Sequence, residues 1–177
     1  MRVVAGKYRG KKLISPSHDI RPTLDKVKQA IFTRLQFFVE GKSVLDLFSG
    51  SGALGIEALS RGASKVVFCD ANYNSIKLIK ENLKSLKDEN FEVLQGDYKT
   101  CLNAFNSQFD LIILDPPYKS GYYDPALKII AEKKLLSNDG IIVCERAKDE
   151  IISNQDFNLE CKKIYGTVAV DYFVNKS

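Results

Sequence analysis

No run of apolar residues in this chain approaches the roughly 18 that a membrane-spanning helix needs. The opening MRVVAGKYRGKK also lacks the apolar stretch of a secretory signal, so a cytoplasmic protein is expected. Cysteine is scarce: Cys69, Cys101, Cys144 and Cys161 are far apart, lie in apolar stretches and form no Cys-x-x-Cys pair. That spacing suggests neither a zinc site nor a disulfide framework, and buried reduced thiols fit it better. His18, the single histidine, sits in a polar loop and is given no catalytic role. With no internal repeat, low-complexity tract or linker in 177 residues, one domain with one active site is expected.

What the chain does have is an uneven charge. Residues 1–34 carry nine Lys/Arg against Asp19 and Asp25, a balance of +7, whereas the other 143 residues hold 17 basic and 20 acidic side chains, a balance of −3. Positive charge gathered at one end fits contact with a polyanion, although basic runs are also common on solvated faces. Arg2–Ile14 reads as a short β-hairpin with RVVA and KKLI as strands. On it, Arg2, Lys7, Arg9, Lys11 and Lys12 would contact phosphates, with Tyr8 as a stacking surface and Arg21 close by. Residues 1–22 are therefore taken as a basic extension and 23–177 as the catalytic core.

Thr23 is a candidate N-cap for a helix to about Phe38, with Leu24, Val27, Ile31 and Leu35 at helical spacing. From Ser43, apolar runs alternate with helical segments: SVLDLF, KVVFCD, FEVLQG, FDLIILD and GIIVCE. Continuous Val/Ile/Leu runs indicate strands buried on both faces, hence a mostly parallel α/β sheet. LECKKIYG and TVAVDYFV, parted by little more than Gly166, close the chain as an antiparallel hairpin. The expected layout is a seven-stranded, mostly parallel sheet of the methyltransferase type.

Gly50, Gly52 and Gly55 form a literal GxGxxG between a strand and a helix, a pattern shared by several nucleotide-binding classes. Asp46 lies four residues earlier. A carboxylate there would repel a pyrophosphate but favour the ammonium and sulfonium cations of S-adenosylmethionine; the bland alternative is that it bonds loop amides. Asp70, at the end of the second strand, can accept ribose hydroxyls. Asp97 either takes the adenine amine or caps a helix, with Tyr98 as an apolar wall. Phe48 and Ala71 complete the expected cofactor-binding set.

The fourth strand runs into Asp115-Pro116-Pro117-Tyr118. An aromatic amine is a poor nucleophile because its lone pair is delocalised into the ring, so it must be polarised and aimed. The Asp115 carboxylate and Pro116 carbonyl can each accept one N–H, Pro117 stiffens the turn, and Tyr118 can stack on an extruded base. Because a sulfonium is an activated leaving group, neither metal nor covalent nucleophile is needed. The chain contains no Pro-Cys, the usual setting for methylation at C5 of a pyrimidine.

Together, RVVAGKYRGKKL, the RPT of residues 21–23, DKVKQAIF, VLDLFSGSGALGIEALSRGA, DPPY and the late YG resemble the bacterial 16S ribosomal RNA guanine-N2 methyltransferases. The resemblance covers nearly the whole chain. It implies a class I, Rossmann-like methyltransferase fold, S-adenosylmethionine as donor and one guanine N2 of 16S rRNA in an assembling small subunit as acceptor. Asp46, Gly50, Gly52, Asp70 and Asp97 would serve the cofactor, and Asp115–Tyr118 the base. The residues themselves leave open an adenine-N6 methyltransferase acting on DNA or other RNA. A nicotinamide-binding oxidoreductase and a non-catalytic nucleic-acid binder stand further off.

Overall fold

The structure is a computed structural model that describes residues 1–16, 22–86 and 88–177, with Pro22 and Thr23 described in backbone only. Five strands run parallel: β1 (Ser43–Asp46), β2 (Lys65–Asp70), β3 (Phe91–Gln95), β4 (Phe109–Leu114) and β5 (Leu136–Ala147). The remaining two, β6 (Phe157–Tyr165) and β7 (Val168–Asn175), are antiparallel, and the sheet order is β3-β2-β1-β4-β5-β7-β6. The order reverses between β1 and β4, so the carboxyl ends of those strands flank a crevice, the usual place for a ligand in such a sheet.

Side-chain alternation divides the core into two layers. Val44, Val66, Phe68, Leu111, Ile113 and Val143 pack beneath α1 (Pro22–Arg34), α2 (Ala53–Ser60) and α3 (Tyr73–Leu83). Leu45, Leu47, Ile112, Leu114, Ile142 and Cys144 face α4 (Tyr98–Ala104) and α5 (Tyr123–Glu132). No described helix is long and apolar enough to cross a membrane. Cys69, Cys101 and Cys144 are buried free thiols, and Cys161 is half-buried on β6.

Helix α1 begins at Pro22, so Thr23 is its second residue rather than its cap. A fixed φ and a missing N–H suit proline to a first helical position. The helix closes at Arg34, and residues 35–39 continue as bonded turns instead of helix.

The amino-terminal hairpin has a turn and one bridge, Arg2 with Lys12, but no strand ladder. Its backbone is committed to the core instead. Val4 and Ala5 N–H groups donate to Glu57 of α2 at 2.9 and 3.2 Å, Lys7 N–H donates to the Ser60 carbonyl, and Tyr8 N–H to the Ser60 hydroxyl. Ile14 exchanges two hydrogen bonds with Asn82 of α3, while Val3 and Leu13 are buried. Residues 1–16 are thus tied to α2 and α3, with Val3 and Leu13 in the core.

Candidate functional site

Two cavities open at the carboxyl edge of the sheet and share Phe48, Gly50 and Asp115. The larger, about 490 Å³, is lined by Asp70, Ala71, Asn72, Asp97, Tyr98, Pro116, Pro117 and Tyr122 besides the shared residues. The smaller, about 200 Å³, lies toward α1 and the amino-terminal segment, with Met1, Pro16, Leu24, Lys28, Leu54 and Glu145 on its wall.

The loop after β1 forms as its glycines require. Gly50 has φ +57°, which L side chains rarely adopt, and a Cβ there would meet nothing within 4 Å, so open space lies in front of its backbone. Gly50 N–H donates to Asp70 Oδ2 at 2.9 Å, tying the loop to the end of β2. Gly52 caps α2 in the left-handed region and is turned toward Ile79 and Ile56, away from either cavity wall. At Gly55 the reason is different: a Cβ would stand 2.3 Å from the Phe68 ring, so helix and strand could not approach as they do.

Asp46 is fully buried beneath this loop and lines neither cavity. Its Oδ2 accepts Gly55 N–H at 3.0 Å, whereas Oδ1 is buried and has no hydrogen-bond partner among the described residues. Burial pushes its carboxyl up to about 7. Asp97 combines its two expected places: it lines the larger cavity and also caps α4, accepting Thr100 N–H at 2.8 Å. That bond holds its carboxyl below the ordinary range. Phe48, Tyr98 and Tyr122 form one aromatic cluster, with the Phe48 and Tyr122 rings stacked at 6.0 Å and those of Tyr98 and Tyr122 4.9 Å apart.

Of the Asp-Pro-Pro-Tyr segment, Asp115 lines both cavities and Pro116 and Pro117 the larger, but half-exposed Tyr118 lines neither. Among the described residues no donor reaches the Asp115 carboxylate; burial and then the Glu145 charge raise it well above the ordinary carboxylate range. In the amino-terminal segment, the heads of Arg2, Arg9 and Lys12 pair with no acid among the described residues. Lys7 and Tyr8 are held by Glu89 and Lys11 by Ser85. Arg21 and His18 lie outside the described residues.

The chain matches the family "Conserved hypothetical protein 95" over residues 1–174. "Ribosomal RNA small subunit methyltransferase D" of Haemophilus influenzae is 34% identical over 181 residues, spanning 99% of this chain and 94% of that protein. The chain belongs to the small-subunit ribosomal RNA methyltransferase D family. Its Escherichia coli namesake is 28% identical, over 96% of this chain and 87% of its own length. A solved Escherichia coli structure covers all of this chain and 98% of its own, with a TM-score of 0.89 at 27% identity. One from Haemophilus influenzae reaches 0.83 at 32% identity, covering 99% of this chain and 98% of its own. The sheet is accordingly that of the class I, Rossmann-like methyltransferases.

Several residues of this family member's site went unread in the sequence. Nothing in GYYDP marks Tyr122 as a cavity aromatic, because its neighbours Phe48 and Tyr98 are brought to it only by folding. Lys28 resembles any helix-surface lysine, yet it is buried, 3.4 Å from Glu57. Glu145 did carry a signal: like Asp70 and Asp115, it is an acid at the end of an apolar strand run.

Proposed function

We propose that the protein transfers a methyl group from S-adenosylmethionine to the exocyclic N2 of a guanine in 16S ribosomal RNA. It would do so in the cytoplasm, as a monomer, on an assembling small subunit. The observation that carries this reading is Asp115, a carboxyl that no donor among the described residues reaches, on the wall common to both cavities. A group there can address a donor in the larger cavity and an amine in the smaller one.

The residues present fit the cofactor. An open cradle in front of Gly50, the unpartnered Asp46 Oδ1 beneath it, and Asp70 and Asp97 on one wall suit a cationic adenosine ligand. Asp70 Oδ1 and Oδ2 each accept one backbone N–H, which leaves lone pairs for ribose hydroxyls. The Phe48–Tyr98–Tyr122 cluster offers faces for a planar base. When bound, S-adenosylmethionine supplies a methyl group on a sulfonium, an activated leaving group.

Asp115 and the Pro116 carbonyl accept the two N–H bonds of the amine and turn its remaining lobe toward the larger cavity. An amine donor draws the Asp115 carboxyl back toward its ionised, accepting form. The raised pKa then suits it to hold the proton that the methylated nitrogen releases. Arg2, Arg9 and Lys12, without acidic partners among the described residues, supply phosphate contacts beside the smaller cavity, where Met1 and Pro16 already line the wall.

The test is nucleoside mapping after incubation with tritiated S-adenosylmethionine and unmodified 16S RNA, free and in partly assembled subunits. Label in N2-methylguanosine at one site is expected. Label in N6-methyladenosine, or in DNA alone, would overturn the acceptor.

A further inference from the structure

Leu114 of β4 and Cys144 of β5 are paired in register, so the residues that follow, Asp115 and Glu145, emerge side by side from neighbouring parallel strands. Adjacent strands lie about 4.8 Å apart. Leu114 and Cys144 belong to the α4–α5 layer, and alternation turns the next residues toward α1 and α2. Both line the smaller cavity.

Glu145 is only 5% exposed, yet among the described residues no donor or cation reaches its carboxylate. The Tyr123 hydroxyl donates to its backbone carbonyl, which fixes the strand and leaves the side chain unpaired. Lys28, the basic side chain on the same wall, is committed to the Arg2 carbonyl at 2.7 Å and to Glu57. A largely buried carboxyl without a partner on a cavity wall marks a place where a ligand's donor belongs. Burial pushes it above the ordinary carboxylate range, and an N–H donor would favour its ionised form again.

We propose that Glu145 reads the acceptor base, taking the N1–H of guanine beside the N2 amine that Asp115 holds, and so selects guanine over adenine. The inference rests on the guanine-N2 reading above. Guanine presents N2–H and N1–H as adjacent donors on one edge, which two neighbouring carboxyls can receive together. Adenine presents its N6 amine beside an N1 lone pair, which a carboxylate repels. A site built to bond a substrate N–H discriminates strongly against the base that lacks it.

The experiment replaces the mapped target guanosine by 2-aminopurine riboside through splint ligation. This base keeps the N2 amine but carries a lone pair at N1. Wild-type kcat/KM should fall at least about tenfold on this substrate. Glu145→Gln, whose amide can donate to that lone pair, should narrow or reverse the ratio, with S-adenosylmethionine affinity and thermal unfolding near wild type. Equal wild-type turnover of the two substrates overturns the proposal without recourse to any variant. So does a folded Glu145→Gln protein that keeps the wild-type ratio, since a merely structural carboxyl lowers both rates alike. Failure of the underlying reading looks different: the mapping step would then find label on adenine N6, and the guanine role of Glu145 would fall with it.

Discussion

Glu57→Ala should undock the amino-terminal segment, and the geometry sets the size of the effect. The Glu57 carboxylate is fully buried and receives Val4 N–H at 2.9 Å, Ala5 N–H at 3.2 Å and Arg61 Nε at 2.9 Å, with Lys28 Nζ at 3.4 Å. Arg61 is 15% exposed and can turn toward water, but Lys28 is 4% exposed and cannot. Removing one partner of a buried ion pair costs about 3–5 kcal/mol. Each unsatisfied backbone N–H adds about 1–3 kcal/mol, unless the segment lifts and water reaches it. Lifting exposes Val3 and Leu13, at about 1.5–3 kcal/mol each when fully uncovered. The two routes are alternatives, so the net loss should be about 3–5 kcal/mol. Urea unfolding measures that loss, and amide exchange at Lys7, Tyr8 and Ile14 reports the undocking, because these N–H groups bond to Ser60 and Asn82 outside the segment. A loss below about 1 kcal/mol with wild-type protection would refute the reasoning.

Asp115→Ala should retain S-adenosylmethionine binding while kcat falls by about a hundredfold or more, read by single-turnover assay, since the amine is then neither aimed nor polarised. Gly55→Ala should destabilise by about 1–3 kcal/mol through the Phe68 contact, and adding Phe68→Leu should recover part of that loss in urea melts. Asp46 is pushed up to about 7 by burial from 3.8, so the folded protein holds a proton that the unfolded chain gives up. Its contribution is complete below the unfolded pKa and lost as pH rises through about 7; unfolding free energy should decline across that window, and Asp46→Asn should flatten the decline. Alanine at Arg2, Arg9 and Lys12 should weaken RNA binding and reduce the slope of log K against log salt by about one for each phosphate left without its cation, as fluorescence anisotropy can follow.

Most of the architecture was legible because it follows from local pattern. Five apolar runs spaced by helical segments can be buried on both faces only in a parallel sheet, and the short Gly166 turn forces the last pair to be antiparallel. The glycine loop and the Asp-Pro-Pro-Tyr segment were equally plain, since each is a short stretch whose residue types are constrained together. Tyr118 shows the limit: the motif names it, but it lines neither of the two cavities that Asp115 lines.

The sequence by itself determined the strand alternation, the glycine loop and the carboxyls Asp70, Asp97 and Asp115 at strand ends, because each depends on neighbours a few positions away. Only the tertiary structure decided that Asp46 lies beneath the loop rather than on the cavity wall, and that the basic segment is clamped to Glu57 more than 50 residues away. It also decided that Glu145 stands beside Asp115. That neighbourhood exists through the register of β4 on β5 and the burial of the Glu145 carboxyl, and no local pattern encodes either.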